Sequence, residues 1–411
     1  MSEAAPDPRP ATAGLALAAQ RRVYAAFALH AISMGSLFPR LPEVRDALGV
    51  AEGALGLALM GAPVGTLLAL AFASPFIERA GFRRTLLAST PLVALCYAVA
   101  VWMPTPLALF AALVPAGLLV GCVEIVVNVE ADRTEARLGR RIMNRAHSFW
   151  SFGFFLAGIV GAAMAHAGVS PRAHLALVAL AVAAAVAALL GGYRPAPHRA
   201  ADAAPATGFA RPTAPILVLV GVTLSAMLME GAGLEWSALY MVEVHASAPF
   251  VAGLAVATVA FSQATGRFFA DGFIDRSSPE GVGRTLLWCL GAGIVTVFLA
   301  PSPALSLAGF ALIGLGSSVI FPLAISAAAR RTDRPATVNV AALSQIAFCA
   351  FFLAPPLLGQ VAEHAGMRWV FGLGLPLVAL SLVTVGALRD APDAPDGADA
   401  HRGEAGAVTR P

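Results

Sequence analysis

Twelve apolar stretches of about twenty residues each run through this sequence, and that is the length a helix needs to cross the hydrocarbon of a bilayer. They lie near residues 22–39, 54–77, 84–102, 107–129, 143–165 and 174–192, and then near 216–240, 249–269, 285–300, 305–328, 338–361 and 369–388. Between the sixth and seventh comes a polar linker rich in proline and alanine, 193–215, and after the twelfth a tail, 390–411, with the composition of a disordered segment. Of the 411 residues, 58% are hydrophobic and 12% charged, about half the charged share of a typical soluble domain. The chain is therefore read as an all-α membrane protein: a tail (1–21), a six-helix bundle (22–192), a linker (193–215), a second six-helix bundle (216–389) and the closing tail.

Orientation follows from where the charges fall, since the net charge of +3 says little. The chain has no lysine. With the amino terminus in the cytoplasm, twenty-three arginines fall inside and four outside, namely Arg40, Arg45, Arg172 and Arg368. The positive-inside rule then puts both termini in the cytoplasm, in a bacterial-type inner membrane. No signal peptide is apparent at the amino terminus, so the first span is expected to direct insertion. Cys96, Cys122, Cys289 and Cys349 sit in apolar runs without metal-binding spacing and read as small core hydrophobes.

Against this background the ionisable residues inside spans stand out, because a carboxyl in a bilayer is costly unless paired, protonated or facing water. Glu124 enters the fourth span and Asn128 follows at i+4, on the same helix face. At about 1.5 Å of rise per residue, Glu124 lies ~25 Å in from the outer face and Glu230, on the seventh span, ~21 Å in from the inner face. The two acids are thus expected in opposite halves of the membrane. Spans one, four, seven and ten carry His30, Glu124 with Asn128, Glu230 with Glu235, and Ser317 with Ser318, whereas spans three, six, nine and twelve have no ionisable group in their apolar cores.

The two halves also echo one another. SPFIERAGFRR (74–84) lies between spans two and three, ADGFIDRSSPEGVGR (270–284) between spans eight and nine, and their Glu78-Arg79 and Asp275-Arg276 pairs stand 197 residues apart. The first stretch resembles the signature of the major facilitator superfamily, with serine at Ser74 where glycine is usual and glutamate at Glu78 where aspartate is usual. The resemblance implies the major facilitator fold, twelve transmembrane helices in two pseudo-symmetric six-helix bundles, with the first, fourth, seventh and tenth helices lining a cavity. It also implies a monomer. Further, EIVVN from Glu124 resembles the fourth-helix pattern of the fucose permease branch, and GRRIMNRAHSFWSFG (139–153) and EGAGLEWSALY (230–240) resemble a bacterial group that includes the rhizopine transport protein. There the fourth-helix acid is implicated in proton coupling or sugar binding, which would fall here on Glu124. A second acid on the first helix has no counterpart, since only His30 is ionisable in that span's core.

Each candidate carries two readings. Glu124 is either a titrating or solute-binding acid or a structural acid bonded to His147 or an arginine at the head of the fifth helix. His30 is either a ligand or a satisfied core histidine. Glu230 is the better buried acid of span seven, and Glu235 is a ligand or a hydrated interface residue. Trp236 and Tyr240 either stack on a solute or belong to the interface belt. Gln263, Asn339 and Gln345 reach a solute or bond helix to helix. Arg267, Asp271 and Asp275, spaced at i, i+4 and i+8, with Arg276 and with Glu78, Arg79, Arg83 and Arg84, are expected to form a cytoplasmic gate.

The chain lacks GxxxxGK[ST], GxSxG and HExxH, so neither ATP-driven transport nor these enzyme classes are expected, and no cofactor or nucleic-acid partner is called for. The expectation is a secondary transporter moving a small polar solute by alternating access. A carboxylate would lack its usual bidentate partner, because spans one, four, seven and ten hold no internal arginine. A sugar, polyol or inositol derivative, or a cationic amine, fits the acids, amides, hydroxyls and aromatics. Protons are the expected coupling ion, through Glu124, His147 and Glu230; Ser317 joins the solute-binding set. The alternatives are proton-antiport efflux of drugs or metabolites and a non-transporting membrane sensor.

Overall fold

The computed structural model describes residues 9–139, 142–197, 210–274 and 276–389. Their elements are helices, as a bilayer requires of a chain whose peptide groups must bond one another. We number the long ones α1 (Arg9–Gly35), α2 (Glu52–Phe72), α3 (Phe82–Ala100), α4 (Pro106–Leu138), α5 (Met143–His166), α6 (Pro171–Leu190), α7 (Ala214–Glu235), α8 (Pro249–Ile274), α9 (Pro279–Leu299), α10 (Pro303–Ala329), α11 (Ala336–Ala365) and α12 (Met367–Leu388). Ten of these are long and apolar enough to cross a membrane. The other two, α1 and α3, carry Gln20, Arg21, Arg22 and Ser33, and Arg83, Arg84, Thr85, Ser89 and Thr90, and pack against α5, α4 and α6 in the first half.

Four spans start in one way. Thr105, Ser170, Ser278 and Ser302 each accept a bond from the backbone amide three residues on, and each precedes a proline at the first helical position. The hydroxyl satisfies an amide that the helix leaves unpaired, and proline has none to lose there. The helix ends differ more from expectation than the spans do. α1 begins thirteen residues before Arg22, and α4 runs through Leu138 in place of a loop after Val129. Residues 130–138, EADRTEARL, are mostly good helix formers, and α4 stops only at Gly139, whose φ of 63° lies in the left-handed region. α7 breaks at Trp236 and continues as a short helix, Ser237–His245.

Successive spans run in alternate directions, so the start of α1 and the end of α12 share one side, here the terminal face; the other is the far face. At the far face the halves close on each other. A Cβ on Gly158 of α5 would stand 2.8 Å from the Ala257 amide nitrogen of α8, and one on Gly253 of α8 would stand 2.8 Å from Ala162 Cβ of α5. Gly56 of α2 meets Gly359 and Pro355 of α11 in the same manner. Small residues let the backbones approach where no larger side chain fits. Polar contacts add to the seal: Arg45 bridges Glu52 and Glu243, and the Gly53 amide donates to Glu363 Oε2 at 3.0 Å.

The buried apolar side chains divide accordingly. One cluster takes in the second half together with the far-face part of the first, including Leu37, Tyr97, Leu113, Val120 and Phe154. A second, with Phe27, Ile77, Leu86, Val123, Val126 and Val182, belongs to the terminal-face part of the first half alone. The halves thus share a core near the far face and not near the terminal face. Gly81 and Gly272, near the two echoed stretches, both face open space. Cys122 is buried, but Cys349 is exposed on α11, against the expectation of a core thiol, because its face of the helix turns outward.

Candidate functional site

Glu124 sits in α4 between Val120 of one apolar cluster and Val123 and Val126 of the other. Its side chain keeps 38% of its surface accessible, although it lies near the middle of a 33-residue helix. The Asn128 amide donates to Glu124 Oε1 at 2.9 Å and to the Glu124 carbonyl oxygen at 2.9 Å, so the pair expected on one helix face is bonded there. From α1, His30 Nε2 lies 3.4 Å from Glu124 Oε2. His30 is fully buried and neither ring nitrogen has a hydrogen-bond partner, so a proton on the ring would turn this contact into an ion pair. From α5, His147 Nε2 lies 3.2 Å from Asn128 Oδ1. His147 therefore reaches the acid through the amide rather than by bonding it directly.

One turn further along α5 stands Ser151, which no sequence pattern marked. It is fully buried and joins the halves: its hydroxyl donates to Gln263 Oε1 of α8 at 3.4 Å and accepts from Arg267 Nη1 at 2.9 Å. Arg267 also donates from Nε to the Ser318 carbonyl of α10 at 2.9 Å and from Nη2 to Glu230 Oε1 of α7 at 3.0 Å. A gate position was expected for Arg267, but its guanidinium points inward. A charge on a half-buried helix face is stable only with a partner, and Glu230 provides it. Glu124, Asn128 and His147 form one polar set and Ser151, Arg267 and Glu230 another, and the two meet on α5, where His147 and Ser151 stand one turn apart in a single polar series.

The other candidates lie elsewhere. Glu235 is partly buried at the end of α7, outside this series. Trp236 is fully buried with its indole nitrogen unpartnered. Tyr240 is fully buried among Phe310, Phe371 and His245, its hydroxyl donating to the Val297 carbonyl at 2.5 Å. Both rings are buried in the apolar cluster that the second half shares with the far-face part of the first, without a bond to the polar series. Ser317 bonds its own helix at Gly314. Gln345 accepts from the Ala210 amide and so ties the linker to α11, and Asn339 donates to Asp333 at 3.0 Å. Asp333, outside the spans, has its carboxyl raised by desolvation, but Asn339 and Arg331 outweigh this and hold it below the ordinary range.

Of the expected gate, Arg83 donates to the Tyr193 and Gly191 carbonyls within its own half, at 3.1 and 2.7 Å. It pins the start of the linker, since those carbonyls end a helix and lack partners of their own. Glu78, Arg79, Arg84 and Arg276 are exposed, with no hydrogen bond or ion pair among the described residues. Asp275 lies outside the described residues, as does the side chain of Asp271.

A polar series that crosses between two helical halves, closed over on one side, is the arrangement of a membrane carrier. The chain belongs to the Major Facilitator Superfamily, whose family model matches residues 23–350 and again 218–411. An uncharacterized MFS-type transporter of Yersinia pestis is 28% identical over 377 residues, covering 88% of this chain and 92% of that one. Among solved structures, a point mutant of the nucleoside transporter NupG matches with TM-score 0.67 and 13% identity over 90% of this chain and 98% of that one. A variant of the Escherichia coli fucose:proton symporter FucP matches with TM-score 0.60 and 16% identity, covering 90% and 98%. At these identities the two structures share the fold.

Proposed function

We propose that this transporter is a proton-linked carrier of a small polar solute, working by alternating access in a bacterial inner membrane with both termini in the cytoplasm. One observation carries the reading: Glu124 is accessible within its span and held by Asn128 and His30 where the two apolar cores part. A carboxylate so placed has two low-energy states, charged against His30 and Asn128 with water present, or protonated when the passage closes. Closing around the neutral form avoids desolvating a charge, so proton uptake favours the change of access. His147 is poised on Asn128 to sense the same proton, and Glu230 answers it from the second half. His30, Asn128, Glu230, Gln263 and, in the opposite state, Glu235, Trp236, Tyr240, Ser317 and Gln345 complete the solute-binding set. The exposed residues Glu78, Arg79, Arg84 and Arg276 are what a gate leaves free when it is open, and Arg83 joins them on closure. FucP is a fucose:proton symporter, which is the kind of coupling proposed.

The test is Glu124→Gln in proteoliposomes. It should abolish accumulation driven by an imposed proton gradient and spare counterflow exchange, because the amide fixes the neutral state. Full gradient-driven accumulation by the variant would remove Glu124 from the coupling step.

A further inference from the structure

The solute's chemistry can be narrowed on the basis of that carrier reading. The four spans expected to line the passage hold no internal arginine, but the structure brings one in from α8. Arg267 and Glu230 keep 12% and 14% of their side-chain surfaces accessible, so the pair is enclosed without being sealed. A guanidinium has five N–H groups, and Arg267 uses three, on Ser318, Ser151 and Glu230. Its bond to Glu230 is single rather than the two-pronged contact a carboxylate can make with arginine. One turn away on α8, Gln263 is fully buried, and its amide nitrogen has no hydrogen-bond partner. Donors are therefore in surplus at this end of the polar series, and a buried donor without an acceptor is costly. At the other end, Glu124 and Asn128 offer acceptors suited to hydroxyl groups. His147 and Ser151 lie between, ~6 Å apart along α5.

We propose that the solute is a polyhydroxylated carboxylate, a sugar acid, whose carboxylate is received by Arg267 with the Gln263 amide and whose hydroxyls face Glu124 and Asn128. With the solute bound, two carboxylates stand before one guanidinium, and a proton taken up with the solute restores neutrality. Of the elements packed around this pair, α5 carries His147 one turn from Ser151, α10 presents Ser318, and Asp271 follows Arg267 by one turn on α8; Glu124 on α4 and His30 on α1 stand together at the other end of the series. α7 and α8 thus supply the acid and the cation, and proton and solute enter together.

The test is thermal stabilisation of the purified full-length protein by D-gluconate and D-glucuronate, against D-glucose and myo-inositol, at mildly acidic and mildly alkaline pH. The acids should raise the melting temperature, more so at acidic pH. Arg267→Lys, which keeps the charge and loses the fork, should weaken acid binding by about tenfold or more; its own melting temperature without solute shows that it folds. Glu230→Gln, lacking the competing carboxylate, should bind gluconate more tightly than the wild type at alkaline pH. No stabilisation by either acid, or equal stabilisation in wild type and Arg267→Lys, overturns the proposal. Proton-driven flux of a neutral sugar dependent on Glu124 would also overturn it while leaving the carrier reading intact. Acid binding that follows Arg267 without any proton-driven flux would support this proposal and end the carrier reading.

Discussion

Arg45 reaches from the segment after α1 to Glu52 of its own half and to Glu243 of the other. Burial works against its charge, and the bonds to Asp46 and Glu243 more than compensate, raising its pKa. Glu243 is 37% exposed, so the link is worth only ~0.2–1 kcal/mol. Glu243→Gln should therefore raise the population open at the far face by no more than about fivefold, read from spin-label distances between Ala47 and Ala248. No change at all would mean that the bridge to Glu52 holds Arg45 without help. At this scale Glu124 and Asn128 were legible, because an acid in an apolar run has few uses and i, i+4 fixes a shared face. Ser151 was not, since a serine in a helix satisfies itself as readily as it bridges. Arg267 was legible as a charge but misplaced, because its spacing with Asp271 and Asp275 described a stripe and not the direction of its long side chain.

Helix packing outweighs that ion pair. Gly158 and Gly253 let α5 and α8 meet backbone to backbone at the far face, and a leucine there cannot be absorbed by a rotamer change. Overpacking of this kind costs ~1–3 kcal/mol. Gly158→Leu should thus shift the same spin-label distances toward the open form by about 5- to 150-fold, well beyond Glu243→Gln. Unchanged distances would mean that the two helices part without altering access. Spans and their order could be read from hydropathy, which reports burial in lipid. Helix ends could not, because hydropathy drops at Glu130 while the helix formers of 130–138 carry α4 on to Gly139, with Glu130 accepting from the Ala196 amide of the linker and pairing with Arg133.

For the whole molecule, the 197-residue offset and the arginine distribution made two halves legible from the sequence. The conformation was not, since a carrier of the kind proposed must form both the state closed at the far face and its counterpart from one sequence. The account rests on water reaching the Glu124 helix face from the terminal face while the far face is shut. Asn128→Cys, in a chain with the four native cysteines replaced, tests this in vesicles of each orientation with a membrane-impermeant maleimide. Labelling is predicted from the terminal face, and little from the far face. Failure to label from either face, or labelling from the far face alone, would contradict the account.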